Sequence, residues 1–584
     1  MKDKLQNNWL LFTSGLLLLL LLMVDLFFYK EKLYGDASYY LFQIVNDKGF
    51  AIEHRRPIAI LIELFPLLLV KLKASLDLII LFFSINQWFY LFSCILLSVL
   101  VLKDIKGAVG ILFSILLGSK LNYFNPVSEL ILSAPLFFIL LSLLKRQNNV
   151  AARFFTFGLI LVLVFSHPLN SFLLPLILLF DHLHYKKAFS RRNIALYLYV
   201  ISCMAIHYYL LDPYEKNPLN ELNTNQYGPL EGIKHFNFAE FGVSALTNYL
   251  GTTILGFLCL YCLIKEKSYQ LLVIVLGFIV GYFFLVLYKF SFLTGEPFER
   301  YMFPIPLVLC LYFFNYIHMD NLKVHGSTFF FILVLLLPFY QFYKLVNYGL
   351  FVKNRYSYLE GAISYAQQFK DQKVGFRVEN YYTRPKGHDW IMSNESLLLS
   401  ASNKSQQTRQ VFVIEGMPGN AVSTLPSDCF FYAPWWGKNI QEFNPDYFML
   451  REGPIRFANT DSIQSSYPDS FFKNISITIG GPTTVKAQRE YLFPITIYNL
   501  NHIPLTSGRK KEQVHLSYYW SNMEVNVNYD GIRSPVLADV YTSLDQEVIV
   551  KSPAKKGIYK LQIAVVYEDK KWCEVNSEKL ITVE

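Results

Sequence analysis

Apolar and polar positions divide this chain into two unlike parts. Up to about residue 350, long apolar runs alternate with short polar interruptions. A helix needs about 20 apolar residues to cross a hydrocarbon core of ~30 Å. Residues 9–28 meet that need, being apolar but for Thr13, Ser14 and Asp25. Runs at 78–102, 107–119, 129–144, 153–166, 169–181, 194–211, 244–264, 270–288, 303–318 and 327–346 predict further spans, about eleven in all. Segment 57–73 reads differently. Its apolar run would rise only ~21 Å as a helix. It also carries Glu63, and a charge at mid-bilayer costs ~2.5–3.5 kcal/mol. This segment is expected to lie in or on the outer interface.

Beyond residue 350 the apolar runs shorten to strand length. A helix-like stretch at 358–369 alternates with strand patterns at 374–378 and 410–414, so 351–472 reads as a small α/β region. Residues 473–584 read as β throughout, with strand patterns at 490–498, 513–520 and 559–567. In the last of these, Tyr559, Leu561, Ile563, Val565 and Tyr567 share one face. Turn signals stand at Asp530-Gly531 and Lys556-Gly557. Several short strands so closely spaced predict a β-sandwich. The expected architecture is therefore a polytopic helical membrane domain (1–350), an α/β region (351–472) and a C-terminal β-sandwich (473–584).

Composition agrees. The chain is 53% hydrophobic with a mean hydropathy of +0.30, as expected of a membrane protein with a water-soluble tail. The net charge of +9 calls for no nucleic acid, because much of the Lys and Arg lies in short clusters between spans. With Lys2 and Lys4 inside and 57–73 uncounted, Lys103/Lys106, Lys145/Arg146/Arg153, Lys186/Lys187/Arg191/Arg192, Lys265/Lys267 and Lys323 all fall inside, as the positive-inside rule asks. This places the N terminus inside a cytoplasmic (inner) membrane and both tail regions outside. One loop dissents: 29–56 holds Lys30, Lys32, Lys48, Arg55 and Arg56 on the outer side, a cluster that would suit an anionic ligand. The first span ends without a small-residue cleavage site and reads as an uncleaved anchor. Five of seven cysteines lie in spans, where Cys259 and Cys262 read as packing residues. Cys429 and Cys573 fall in the tail, and their spacing does not decide whether they pair.

The unusual polar residues gather on the outer side. They are Asp36 in Tyr34-Gly35-Asp36-Ala37-Ser38-Tyr39-Tyr40, the run Glu53-His54-Arg55-Arg56-Pro57, residues 122–129 ending in Glu129, His167 before Pro168, the loop 212–243, and Glu296 to Tyr301 with Glu299 and Arg300. Ionisable groups at a membrane boundary are costly and default to function. Each also has a plainer reading: Asp36 as a helix cap, His167 as a capping histidine, Arg300 as a snorkelling anchor. Gathered on one side, they predict a shared cavity.

A first span, an outer loop opening Gly35-Asp36-x-x-Tyr39-Tyr40, a stretch beginning Arg55-Arg56-Pro57, alternating spans, a late Arg300-Tyr301 and a soluble tail together resemble the GT-C superfamily. That superfamily comprises polyprenyl-phosphate-sugar-dependent glycosyltransferases such as protein mannosyltransferases and lipid A aminoarabinose transferases. The resemblance covers roughly 1–350. It implies an inverting transfer of a sugar from a polyprenyl-phosphate donor to an envelope glycan, lipid or protein. Asp36 matches the acidic residue that acts as base or metal anchor, and Glu129 the second acid. Arg300, with Lys289 as second candidate, matches the basic residue at the lipid phosphate. Many relatives carry two adjacent acids at the first site, whereas Gly35 and Ala37 flank Asp36 here. That departure counts against a divalent cation, Mg or Mn, and the metal ligands stay unassigned.

The residue types suit such chemistry by themselves. A sugar on a lipid phosphate has a good leaving group, so the site needs a carboxylate near the acceptor hydroxyl and cations for the departing phosphate. Asp36 with Arg55, Arg56 and Arg300 supplies these, and His54, His167, Lys289 and Glu299 complete the expected substrate-binding set. In the tail, the phrases 515–520, 529–533 and 557–559 resemble small sandwich domains of bacterial polysaccharide-handling proteins. Trp520 and Trp572 are read either as sugar-stacking or as core aromatics. Asn394, Asn403 and Asn474 fit the Asn-x-Ser/Thr pattern. The competing reading is a non-enzymatic envelope protein, either a transporter or a glycan-binding assembly partner. A transporter predicts an internal repeat, and the sequence shows none.

Overall fold

The computed structural model describes residues 2–146, 149–184, 191–211, 216, 238–290, 295–317, 327–369, 371–377, 391–403, 408–413, 429–433, 436–453, 455–459, 471–500, 505–507, 513–522, 526–527, 532–538, 542–568, 571–573, 575 and 577–584. They belong to two compact units, Met1–Gly349 and Leu350–Glu584.

The first unit is helical, and each segment expected to span falls on helix. By length and composition, four helices can cross a membrane: Asn8–Phe27, Leu76–Val101, Asn193–Leu210 and Tyr269–Val286. A fifth is added if Phe241–Thr247 and Leu250–Lys265, bent 90° apart, count as one span. Several of the other helices fall short in length. Ile105–Gly118, Glu129–Leu144 and Pro304–Tyr316 have 14, 16 and 13 residues, which rise ~20–24 Å. These helices lie in the interior of the unit. Every residue of Glu129–Leu144 is buried, and a helix apolar all round belongs inside a bundle. Gly118 lets Ile105–Gly118 approach Pro304–Tyr316, since a Cβ there would stand 2.7 Å from Pro306 and 2.8 Å from Phe303.

Segment 57–73 forms a short turn, Pro57–Ala59, and a helix, Ile60–Lys71. Pro66 sits inside that helix and cannot give a backbone N–H to the Ile62 carbonyl. The Asn86 side-chain amide of the Leu76–Leu96 helix supplies the missing donor at 2.5 Å. Glu63 turns inward and is fully buried, while Leu61, Leu64, Phe65 and Leu68 face out. This reverses the pattern of a water-soluble helix and fits one that meets lipid.

In the second unit a parallel three-stranded sheet runs in the order Gln410–Val413, Lys373–Arg377, Ile455–Asn459. The helix Met392–Asn403 links the first two strands in sequence, and the buried Arg355–Glu395 ion pair ties that helix to the one ending at Ala366. Two further sheets share one apolar core. One is centred on Glu490–Asn499, flanked by Thr542–Lys551 and Ile475–Ile479. The other carries Val514–Ser521, Gly557–Tyr567 and Lys579–Val583 side by side. Alternation places Phe493, Ile495 and Ile497 from one sheet against Tyr559, Leu561, Ile563, Val565 and Tyr567 from the other. Trp520 belongs to this core, 1% exposed, whereas Trp572 is 39% exposed. Cys573 is buried in the same core, and the Asp530-Gly531 turn lies outside the described residues.

Candidate functional site

Asp36 is the first residue of the helix Asp36–Asp47, and the cap position before it is Gly35 at φ 65°, ψ −139°. Only glycine adopts such a backbone without strain. The Gly-Asp pair thus turns the chain sharply into the helix. Asp36 is therefore not the cap, and its carboxylate is available for other partners. It stands 3.4 Å from an Arg300 terminal nitrogen, while Arg300 Nε donates to Asn122 Oδ1, also at 3.4 Å. Both distances exceed the ~2.7–2.9 Å of a strong charge-assisted bond. A phosphate could re-engage this guanidinium at little cost.

A second pair lies alongside. Arg56, extended before Pro57, meets Glu129 at 3.1 Å. Glu129 also opens its helix, so both carboxylates occupy the positive end of a helix dipole. Exposure separates the pairs: the side chains of Asp36 and Arg300 are 36% and 33% exposed, those of Glu129 and Arg56 12% and 14%. A substrate reaches the first pair more readily. Tyr40, one turn beyond Asp36, lies in the field of Glu129, Asp36 and Glu53, and burial with these carboxylates keeps its phenol protonated. His167 is within electrostatic reach of Arg56 and Arg300. Burial, then these cations, hold it well below its ordinary range and neutral. Its Nδ1 accepts from the Leu169 amide at 3.1 Å, which leaves the ring proton on Nε2.

Other sequence candidates take different places. Glu299 is a strut: its Oε1 accepts from the Leu121 and Asn122 amides at 2.6 and 2.8 Å, and its Oε2 from the Tyr249 hydroxyl at 2.8 Å. Burial pushes this carboxyl up to about 7. It thereby holds the turn that presents Asn122 to Arg300. Arg55 is exposed and donates to the Leu210 carbonyl at 2.8 Å, near the C-terminal end of the Arg191–Leu210 helix. His54 is half-exposed in the same turn, and both residues have positive φ, 51° and 58°. The side chains of Lys289 and Glu296 and most of loop 212–243 lie outside the described residues.

The sequence reading passed over a buried pair beneath the site. Lys32, in the loop before Asp36, folds back to Asp25 at 2.7 Å, both side chains fully buried. Lys32 also donates to Gln87 Oε1 at 2.8 Å and lies 4.1 Å from the centre of the Tyr123 ring. The signal was an aspartate near the end of an otherwise apolar run with a lysine seven residues on.

Among the described residues no three His, Cys, Asp or Glu side chains lie close enough to hold a metal ion, and Asp36 and Glu129 are each engaged by a guanidinium. As a set, the site offers one accessible carboxylate and two guanidiniums, with a neutral imidazole and a protonated phenol nearby.

No protein-family model and no curated protein matches the chain. Among solved structures it is similar to the CARDB domain of a Pyrococcus furiosus protein. The crystal structure of that domain, in complex with di-metal ions, is 15% identical, covers 19% of this chain and 90% of that one, and gives a TM-score of 0.14. The solution NMR structure of the same domain is 17% identical, covers 19% and 95%, and gives 0.13.

Proposed function

We propose that the chain is an integral-membrane glycosyltransferase that moves a sugar from a polyprenyl-phosphate donor to a cell-envelope acceptor. On this reading about eleven segments are spans, the N terminus is cytoplasmic, and the α/β region and β-sandwich lie outside. One observation carries the reading: Asp36 and Arg56 from one loop, Glu129 and Arg300 from two later stretches, form two ion pairs with His167 and Tyr40 close by. The resemblance of the Gly-Asp and Arg-Arg-Pro motifs to GT-C enzymes supports it. Asp36 accepts the acceptor hydroxyl's proton as that oxygen attacks the sugar's anomeric carbon. The bond to the phosphate oxygen breaks, and Arg300, released from Asp36, stabilises the departing phosphate.

The test compares envelope glycolipids, by mass spectrometry, in a deletion strain complemented with wild type or variants. Asp36→Asn keeps the shape but cannot take a proton, so product formation should fall ~100- to 10,000-fold at normal membrane levels. Arg300→Ala should weaken donor use more than Arg300→Lys, because only the guanidinium offers a fork to phosphate. Undiminished product from Asp36→Asn would sink the assignment and favour the non-enzymatic reading.

A further inference from the structure

Trp572 stands apart from the apolar core. It lies on the short strand Lys571–Cys573 at the side of Gly557–Tyr567. The register places Trp572 opposite Val566 and Val566 opposite His515, so indole and imidazole flank Val566 in one cross-strand row. Two strand spacings set them roughly 10 Å apart. Polar groups frame the row. Glu568 Oε1 meets both His515 Nδ1, at 2.9 Å, and Arg533 Nε, at 3.0 Å. Arg533 donates to Ser517 Oγ at 3.2 Å, and its guanidinium lies 5.2 Å from the centre of the Trp572 ring. Tyr519 meets the indole edge-on at 6.3 Å.

We propose that this face binds a hydroxyl-rich pyranose unit of a glycan. A pyranose has a C–H face that stacks on an aromatic ring and a rim of hydroxyls that both donate and accept. The row supplies an exposed indole for the first, and a guanidinium, a carboxylate and an imidazole for the second. These polar groups already hold one another in place, so ordering them on binding costs little. Within this cluster the Glu568 carboxylate offsets the Arg533 guanidinium, which suits a neutral sugar. The proposal stands independently of the transferase reading.

Full-length protein in detergent micelles would be titrated calorimetrically with four neutral hexasaccharides: maltohexaose, cellohexaose, mannohexaose and chitohexaose. Saturable binding of at least one is expected. Trp572→Ala should weaken it about tenfold or more, Trp572→Phe less, and Asp36→Asn not at all. Circular dichroism would confirm that each variant is folded, and Glu568→Gln, which keeps the side chain's volume, should also weaken binding. Absence of binding to all four sugars would overturn the proposal, as would a folded Trp572→Ala variant that binds like wild type. Binding lost in Asp36→Asn but kept in Trp572→Ala would move the sugar to the membrane unit, overturning this proposal and leaving the transferase reading standing.

Discussion

A carboxyl such as Glu299, raised by burial from its usual 4.5 to about 7, makes stability depend on pH. Between those values the folded chain holds a proton that the unfolded chain has released. Its stabilising contribution is therefore complete below about 4.5 and is lost as pH rises through about 7. Glu63, also raised by burial to about 7, acts in the same direction. Glu299→Gln can still accept at the Leu121 and Asn122 amides but no longer titrates. The variant's thermal midpoint should fall less steeply than wild type's between pH 4.5 and 7, and superimposable slopes would count against this account. Single residues were partly legible beforehand. Asp36, Glu129 and Arg300 stood out because ionisable groups beside apolar runs are costly. The described members of the outer basic cluster have partners within the protein: Asp25 meets Lys32, the Leu210 carbonyl accepts from Arg55, and Glu129 meets Arg56.

Elements were legible where periodicity decides them. The alternation in 559–567 placed its apolar face in the core as expected. The 90° break in 244–264 was not legible, since Asn248 and Tyr249 interrupt the apolar run too briefly to register. Nor could sequence show that Asn86 answers for Pro66. That link gives a direct expectation. Asn86→Leu leaves the Ile62 carbonyl buried and unpaired, at a cost of ~1–3 kcal/mol. Pro66→Ala restores a backbone donor to the same carbonyl, so the double variant should recover much of the loss. Thermal denaturation of the two single variants and the double variant measures this coupling, and strictly additive effects would refute it.

For the whole molecule the sharpest expectation concerns sidedness. On the proposed topology, eleven spans from an inner N terminus end outside, so a reporter fused after Tyr348 should be active only if its activity requires export. A cytoplasmic signal would make 57–73 a true span and put Glu129, His167 and Arg300 on the opposite side of the membrane from Asp36. The Asp25–Lys32 pair bears on how such a molecule can change over generations. Losing either partner alone strands a buried charge, at ~3–5 kcal/mol, whereas replacing both with apolar residues of similar volume is often neutral. Mutations arrive one at a time, so any lineage leaving this pair must first pass through a crippled intermediate. The two positions are therefore bound to a joint fate, inherited together or exchanged together.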